Sequence, residues 1–138
     1  MTDRASVADR DESSLLDFAL GYPESRLEFP WGERAVKVNK KVFVFANVID
    51  DSLGISVKLP QSAQAALQYP FAKPTGYGLG KSGWVTARFA PREKAPLQML
   101  RAWIDESYRA VAPKRLVAQL PPANPARTNA AAGAGREG

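Results

Sequence analysis

Residues 34–58 hold three β-prone runs with almost nothing between them. Val36 and Val38 alternate with Lys37 and Asn39. Val42, Phe43, Val44 and Phe45 form a continuous apolar run. Ile55 and Val57 alternate with Ser56 and Lys58. The joints are Asn39-Lys40-Lys41 and Asp50-Asp51-Ser52, both composed of turn-forming and charged residues. So short a connection can only reverse the chain, because parallel neighbours need a crossover of roughly a dozen residues or more. The runs must therefore pair antiparallel, and everything else has to pack on the sheet they make.

The flanks supply helices. Leu15, Leu16, Ala19 and Leu20 predict a helix over 10–20, with Asp11, Glu12 and Ser13 in its first turn and Gly21 and Pro23 ending it. A short helix is expected over 61–69, bounded by Pro60 and Pro70. The clearest helical stripe is Leu97, Leu100, Ile104, Tyr108 and Val111, flanked by Met99 and Trp103 and stopped by Pro113. Residues 25–31 read as a short strand or extended arm ending in a Trp31-Gly32 turn. Residues 84–89 read as a further strand. The sum is an α+β chain, a single antiparallel sheet with helices packed on one face. Its domain spans 10–120, between disordered ends at 1–9 and in the Pro/Ala/Gly tail 121–138.

Strand alternation has a consequence for function. If Val36, Val38, Ile55, Val57, Val85 and Phe89 face the helices, the opposite face carries Lys37, Asn39, Ser56, Lys58, Trp84, Thr86 and Arg88, with Phe43 or Phe45 added. That face is basic, hydroxyl-rich and partly aromatic. The net charge is +5. The first fourteen residues are acidic on balance, so the body is more basic than the total suggests. A basic body favours a polyanion. The residues expected to contact nucleic acid are Lys37, Lys40, Lys41, Lys58, Lys81 and Arg88, with Lys73 nearby and Trp84 as a stacking platform.

Other chemistries find less support. There is no His and no Cys, which removes the usual general base near neutral pH, disulfides and thiolate ligands. Asp50/Asp51 and Asp105/Glu106 are chain neighbours that read as solvated surface, so no catalytic residue is assigned and no enzyme is expected. No cofactor and no metal are assigned. Gly80-Lys81-Ser82 looks like the end of a phosphate loop, but position 75 is Thr75 rather than glycine and a strand follows rather than a helix. A backbone nest for one phosphate stays open. So does an acidic cluster at Asp9, Asp11, Glu12 and Asp17 that could hold a hard cation. No apolar run approaches roughly 18 residues, so no membrane span is expected. The polar, acidic start argues against a signal peptide, and the absence of cysteine suits the cytoplasm.

The chain resembles the MmcQ/YjbR family of small bacterial proteins. The resemblance runs over 14–120 through LLDFALGYP, VKVNKKVFVFANV, SVKLPQSAQAAL, PTGYGLGKSGWVTARF and LRAWIDESYRAVAPK. Its most diagnostic pieces are the Trp84 strand behind its glycine loop and the run Ile104-Asp105-Glu106-Ser107-Tyr108. The resemblance implies a frataxin/CyaY-like fold and a DNA-binding role, by likeness to a double-wing DNA-binding domain. It also implies histidines where this sequence has Gly78 and Gly83, so any imidazole chemistry of relatives is absent here. The alternative reading is a protein–protein adaptor, or a frataxin-like metal-binding protein using Asp11, Glu12 and Asp17 of the acidic first helix.

Overall fold

The structure is a computed structural model that describes residues 6–29, 33–76 and 78–121. The expected turn at Trp31-Gly32 lies outside the described residues. So do residues 1–5 of the expected disordered start and nearly all of the expected disordered tail. Helix α1 spans Val7–Leu20, followed by β1 Ser25–Glu28, β2 Arg34–Val38, β3 Lys41–Ile49 and β4 Ser52–Lys58. A one-turn α2 Ala63–Ala66, β5 Ala72–Pro74, β6 Trp84–Arg88, α3 Leu97–Val111 and a one-turn α4 Lys114–Val117 complete the order. The strands form one sheet in the order β1-β2-β3-β4-β6-β5, and every pairing is antiparallel. The expected α+β architecture is what the chain adopts.

Both tight turns work as expected. Asn39 and Lys40 in one, and Asp50 and Asp51 in the other, all have positive φ, the two-residue loop whose twist matches that of antiparallel strands. The boundaries differ from expectation in three places. Helix α1 begins at Val7, because Ser6 accepts the Asp9 N–H at 3.0 Å while Asp9 accepts the Ser6 N–H at 3.2 Å. This reciprocal cap outcompetes the acidic cluster further on, so residues 6–9 of the expected disordered start are ordered. The helix expected over 61–69 closes after one turn. Gln68 and Tyr69 donate to carbonyls three residues back, a tightening that ends the helix before Pro70. Residues 72–74, for which the sequence pattern indicates no element, form the edge strand β5. Pro74 is tolerated there because an edge residue need not donate.

Alternation places the side chains as the sequence implied. Val36, Val44, Val57 and Val85 lie in one cross-strand row under the helices. Leu15, Leu16 and Ala19 of α1 and Leu100, Ile104 and Tyr108 of α3 close the core above them. The exception is the register shift between β2 and β3. Val36 pairs with Val44 but Lys37 pairs with Val42, leaving Phe43 as an extra residue. Phe43 and Val44 are consecutive and both fully buried. The Phe43 ring meets Tyr108 edge-on at 5.0 Å, and Tyr108 stacks on Tyr22 at 4.6 Å. Phe45 is left on the open face.

The bulge would strand two backbone groups at the end of the β3–β4 ladder. Ser107 of α3, fully buried, fills the gap. Its hydroxyl accepts the Lys58 N–H at 2.9 Å and donates to the Phe43 carbonyl at 2.6 Å. Ser107→Ala would leave both groups unsatisfied, at about 1–3 kcal/mol each. Urea unfolding should therefore show a loss of at least about 2 kcal/mol. A loss below about 1 kcal/mol would mean water replaces the hydroxyl.

Candidate functional site

Two faces of the fold remain for function: the open face of the sheet and the outer side of α1. On the open face the hydroxyls satisfy one another. Ser56 and Thr86 lie 2.7 Å apart, and Thr86 and Thr75 lie 2.9 Å apart. The cations divide into two groups by position along the strands. Lys40 and Lys41 sit at the β2–β3 turn. Lys58 ends β4 directly opposite Trp84, and Lys81 lies in the connection that leads into Trp84. All four belong to the same end of the sheet. Arg88 pairs with Gly54 and belongs to the other end. Its guanidinium lies across Gly54, where a Cβ would come within 2.4 Å of Nη2. It donates to Asn47 Oδ1 at 3.2 Å, so it is a fixed part of the sheet surface. Lys37 lies near the first group but pairs with Glu28 at 3.1 Å, which also holds Arg26 at 3.1 Å. These two cations hold the Glu28 carboxyl below the usual range.

Trp84 does not offer the open stacking face that its position suggested. It is only 9% exposed, because its ring packs at 5.7 Å on Phe45. Beside this pair lies a shallow depression of about 310 Å³ lined by Lys41, Val42, Phe45, Lys58, Leu79 and Trp84, with Val111 closing one side. The lining is mainly apolar, and Lys41 and Lys58 are its two charged members. Leu79 was not singled out from the sequence. Its signal would have been a large apolar residue in a loop otherwise made of small and polar residues.

The glycine loop builds that wall. A 3-10 turn at Leu79–Ser82 is held between Gly78 (φ 80°) and Gly83 (φ 90°). The N–H groups of Leu79, Gly80, Lys81 and Gly83 all donate to carbonyls inside the loop. None of these four is left to cradle an anion, which takes four donors from the backbone nest that the sequence leaves open. The loop is a tight hairpin connection that presents Leu79 and Lys81. Adding a side chain at positive φ costs about 1–2 kcal/mol. Gly83→Ala should lower thermal stability by that order, whereas Gly76→Ala, with open space around it, should be neutral. Equal effects at both positions would mean the loop has no fixed conformation.

The outer side of α1 offers less. Asp11 accepts the Ala95 N–H at 2.9 Å. Glu12 turns inward, 5% exposed, to Arg34 of β2 at 3.4 Å. Asp17 stands apart and exposed. Among the described residues, no three carboxylates converge as a metal site would require. Asp105 and Glu106, expected as solvated surface, are structural. Asp105 accepts Tyr22 Oη at 2.6 Å and Arg109 Nε at 2.8 Å, and Glu106 accepts the N–H groups of Gln61 and Ser62 at 2.8 and 3.0 Å.

Burial pushes the Glu12 carboxyl above its ordinary value; Arg34 opposes the shift and Asp9 adds to it. The folded state therefore holds the Glu12 proton more tightly than the unfolded chain. That contribution to stability is complete below the ordinary carboxylate value and disappears as pH rises through the raised one. Glu12→Gln should accordingly gain stability over the parent at neutral pH, and the gain should shrink on acidification. A Glu12→Gln protein that is less stable at pH 7 would mean the Arg34 pair outweighs the burial.

No curated protein matches the chain. A family model described as YjbR matches residues 20–110, from the end of α1 through the whole sheet and nearly all of α3. The matched span includes the bulge, the Ser107 bridge, the glycine loop and every lysine of the depression, and it covers well over half of the sequence: the chain belongs to the YjbR family.

Proposed function

We propose that the protein is a binding module for nucleic acid, DNA being the expected form, and that it docks through the end of the sheet bearing Lys40, Lys41, Lys58 and Lys81. One observation carries this reading. Lys41 and Lys58 help line a mainly apolar depression, Lys40 and Lys81 lie one and two residues from its lining residues Lys41 and Leu79, and no carboxylate among the described residues forms an ion pair with any of the four. Phosphates supply the sequence-independent part of nucleic-acid affinity, and lysine amines are suited to it. Lys37 and Arg88, included in the broader basic face, contribute less in this reading, since each is already held by neighbours. A non-enzymatic role is part of the proposal. It draws support from the lack of His and Cys and from the structural engagement of Asp105 and Glu106. A cytoplasmic location belongs to it as well. No helix of the described chain is long and apolar enough to cross a membrane.

Fluorescence anisotropy of labelled DNA at two salt concentrations tests the reading. Affinity should fall with salt at a log–log slope of about −3.6 on duplex DNA and about −2.8 on single strands for four phosphate contacts. Lys40→Glu with Lys41→Glu should abolish binding, and Arg88→Gln should leave it within about twofold. Binding that ignores the double reversal, or that Arg88→Gln removes, would move the site elsewhere on the sheet.

A further inference from the structure

We infer that the depression between Phe45, Trp84 and Leu79 takes one unstacked nucleobase, so that the protein prefers single-stranded to duplex nucleic acid. The inference rests on the proposed function and goes further by assigning the apolar lining a ligand. Phosphate contacts alone need no such lining. A volume of about 310 Å³ with apolar walls is at the lower end of the size range of ligand pockets. Val42, Phe45, Leu79, Trp84 and Val111 supply the apolar lining, while Lys41 and Lys58 are its cations. A flat ring carried between two anions matches that arrangement: the ring enters and the flanking phosphates meet the amines. Phe45 is half-buried and Leu79 is 36% exposed, so both still have surface to cover. In a duplex the bases are stacked and paired and cannot reach a recess in a protein surface, whereas single strands present them freely. The short hydrophobic wall has no structural duty that explains it. Leu79 lies outside the core and stands at the crest of a glycine-framed turn, where a polar residue would serve the turn equally well.

The test compares three labelled probes against the full chain at low salt. They are an oligothymidylate, an abasic oligomer with the same number of phosphates, and a duplex of the same length. Stacking of a base on an aromatic side chain such as Phe45 is worth at least about fivefold in affinity. The oligothymidylate should therefore bind at least about fivefold more tightly than the other two. Leu79→Ser, which changes no charge and lies outside the core cluster, should remove most of that advantage and leave the affinity for the abasic oligomer unchanged. Three equal affinities that all depend on Lys40 and Lys41 would overturn the inference while leaving the proposed function in place. A preference for the duplex would overturn it too. So would a base preference that survives Leu79→Ser, since the base would then lie elsewhere. Absence of binding to all three probes would remove both.

Discussion

The hydroxyl of Ser107 is the joint on which the arrangement turns. A bulge in β3 brings Phe43 and Val44 together under the helices, and the β3–β4 ladder ends beside it at Val44 and Val57. An orphaned carbonyl and an orphaned N–H in a dry interior would oppose that bulge by more than most single interactions can offset. One side chain from α3 satisfies both, as acceptor to one and donor to the other. The helix is thereby registered on the sheet to within a hydrogen bond. Its neighbours in sequence inherit that register. Asp105 reaches Tyr22, Glu106 reaches the N–H groups at the start of α2, and Tyr108 donates to the Pro23 carbonyl at 2.8 Å. Four successive residues of one helix thus tie four separate parts of the chain.

The bulge also shapes the open face. With Phe43 turned inward, Val42 and Phe45 both line the depression on either side of it. Without the extra residue, a strictly alternating strand would send Phe43 and Phe45 to the same face. The bulge therefore decides which apolar residues lie beside Lys41 and Lys58: Val42 and Phe45 rather than Phe43 and Phe45. The irregularity that Ser107 stabilises thus also shapes the depression, which Val111 of α3 helps to line.

What could be read in the sequence follows from which features are periodic. The antiparallel sheet was legible because two-residue turns at Asn39-Lys40 and Asp50-Asp51 admit no other pairing. The stripe from Leu97 to Val111 was legible because it repeats at helical spacing. The inward valines followed from alternation. The bulge was not legible, since an apolar run such as Val42 to Phe45 hides which residue is the extra one. Edge strand β5 was hidden by Pro70 before it and Pro74 at its end, and the start of α1 by acidic residues that imitate a first turn. Asp105 and Glu106 looked like surface because their partners are distant in sequence: Tyr22 for one, Gln61 and Ser62 for the other. For the candidate site, the lysines were visible as residue types. The burial of Trp84 and the part played by Leu79 depend on packing that no local pattern records.

The cations divide into two kinds by residue type. Among the described residues, the ion pairs use Arg26, Arg34, Arg109 and Arg115, and Lys37 is the lysine that joins them. Arginine suits such places, because its planar fork meets a carboxylate with two donors at once, as Arg115 does with Glu24 at 3.1 and 3.2 Å. Lysine is a compact, strongly hydrated charge on a flexible stem, poorly suited to fixing one geometry and well suited to meeting phosphates whose positions vary. Lys40, Lys41, Lys58 and Lys81 are all of the second kind and stand together at one end of the sheet. Arginines hold the fold, and a group of lysines is left facing solvent around an apolar recess. A chain that needed only solubility would gain as much from spreading those charges, and their concentration at that recess is what gives the open face a direction.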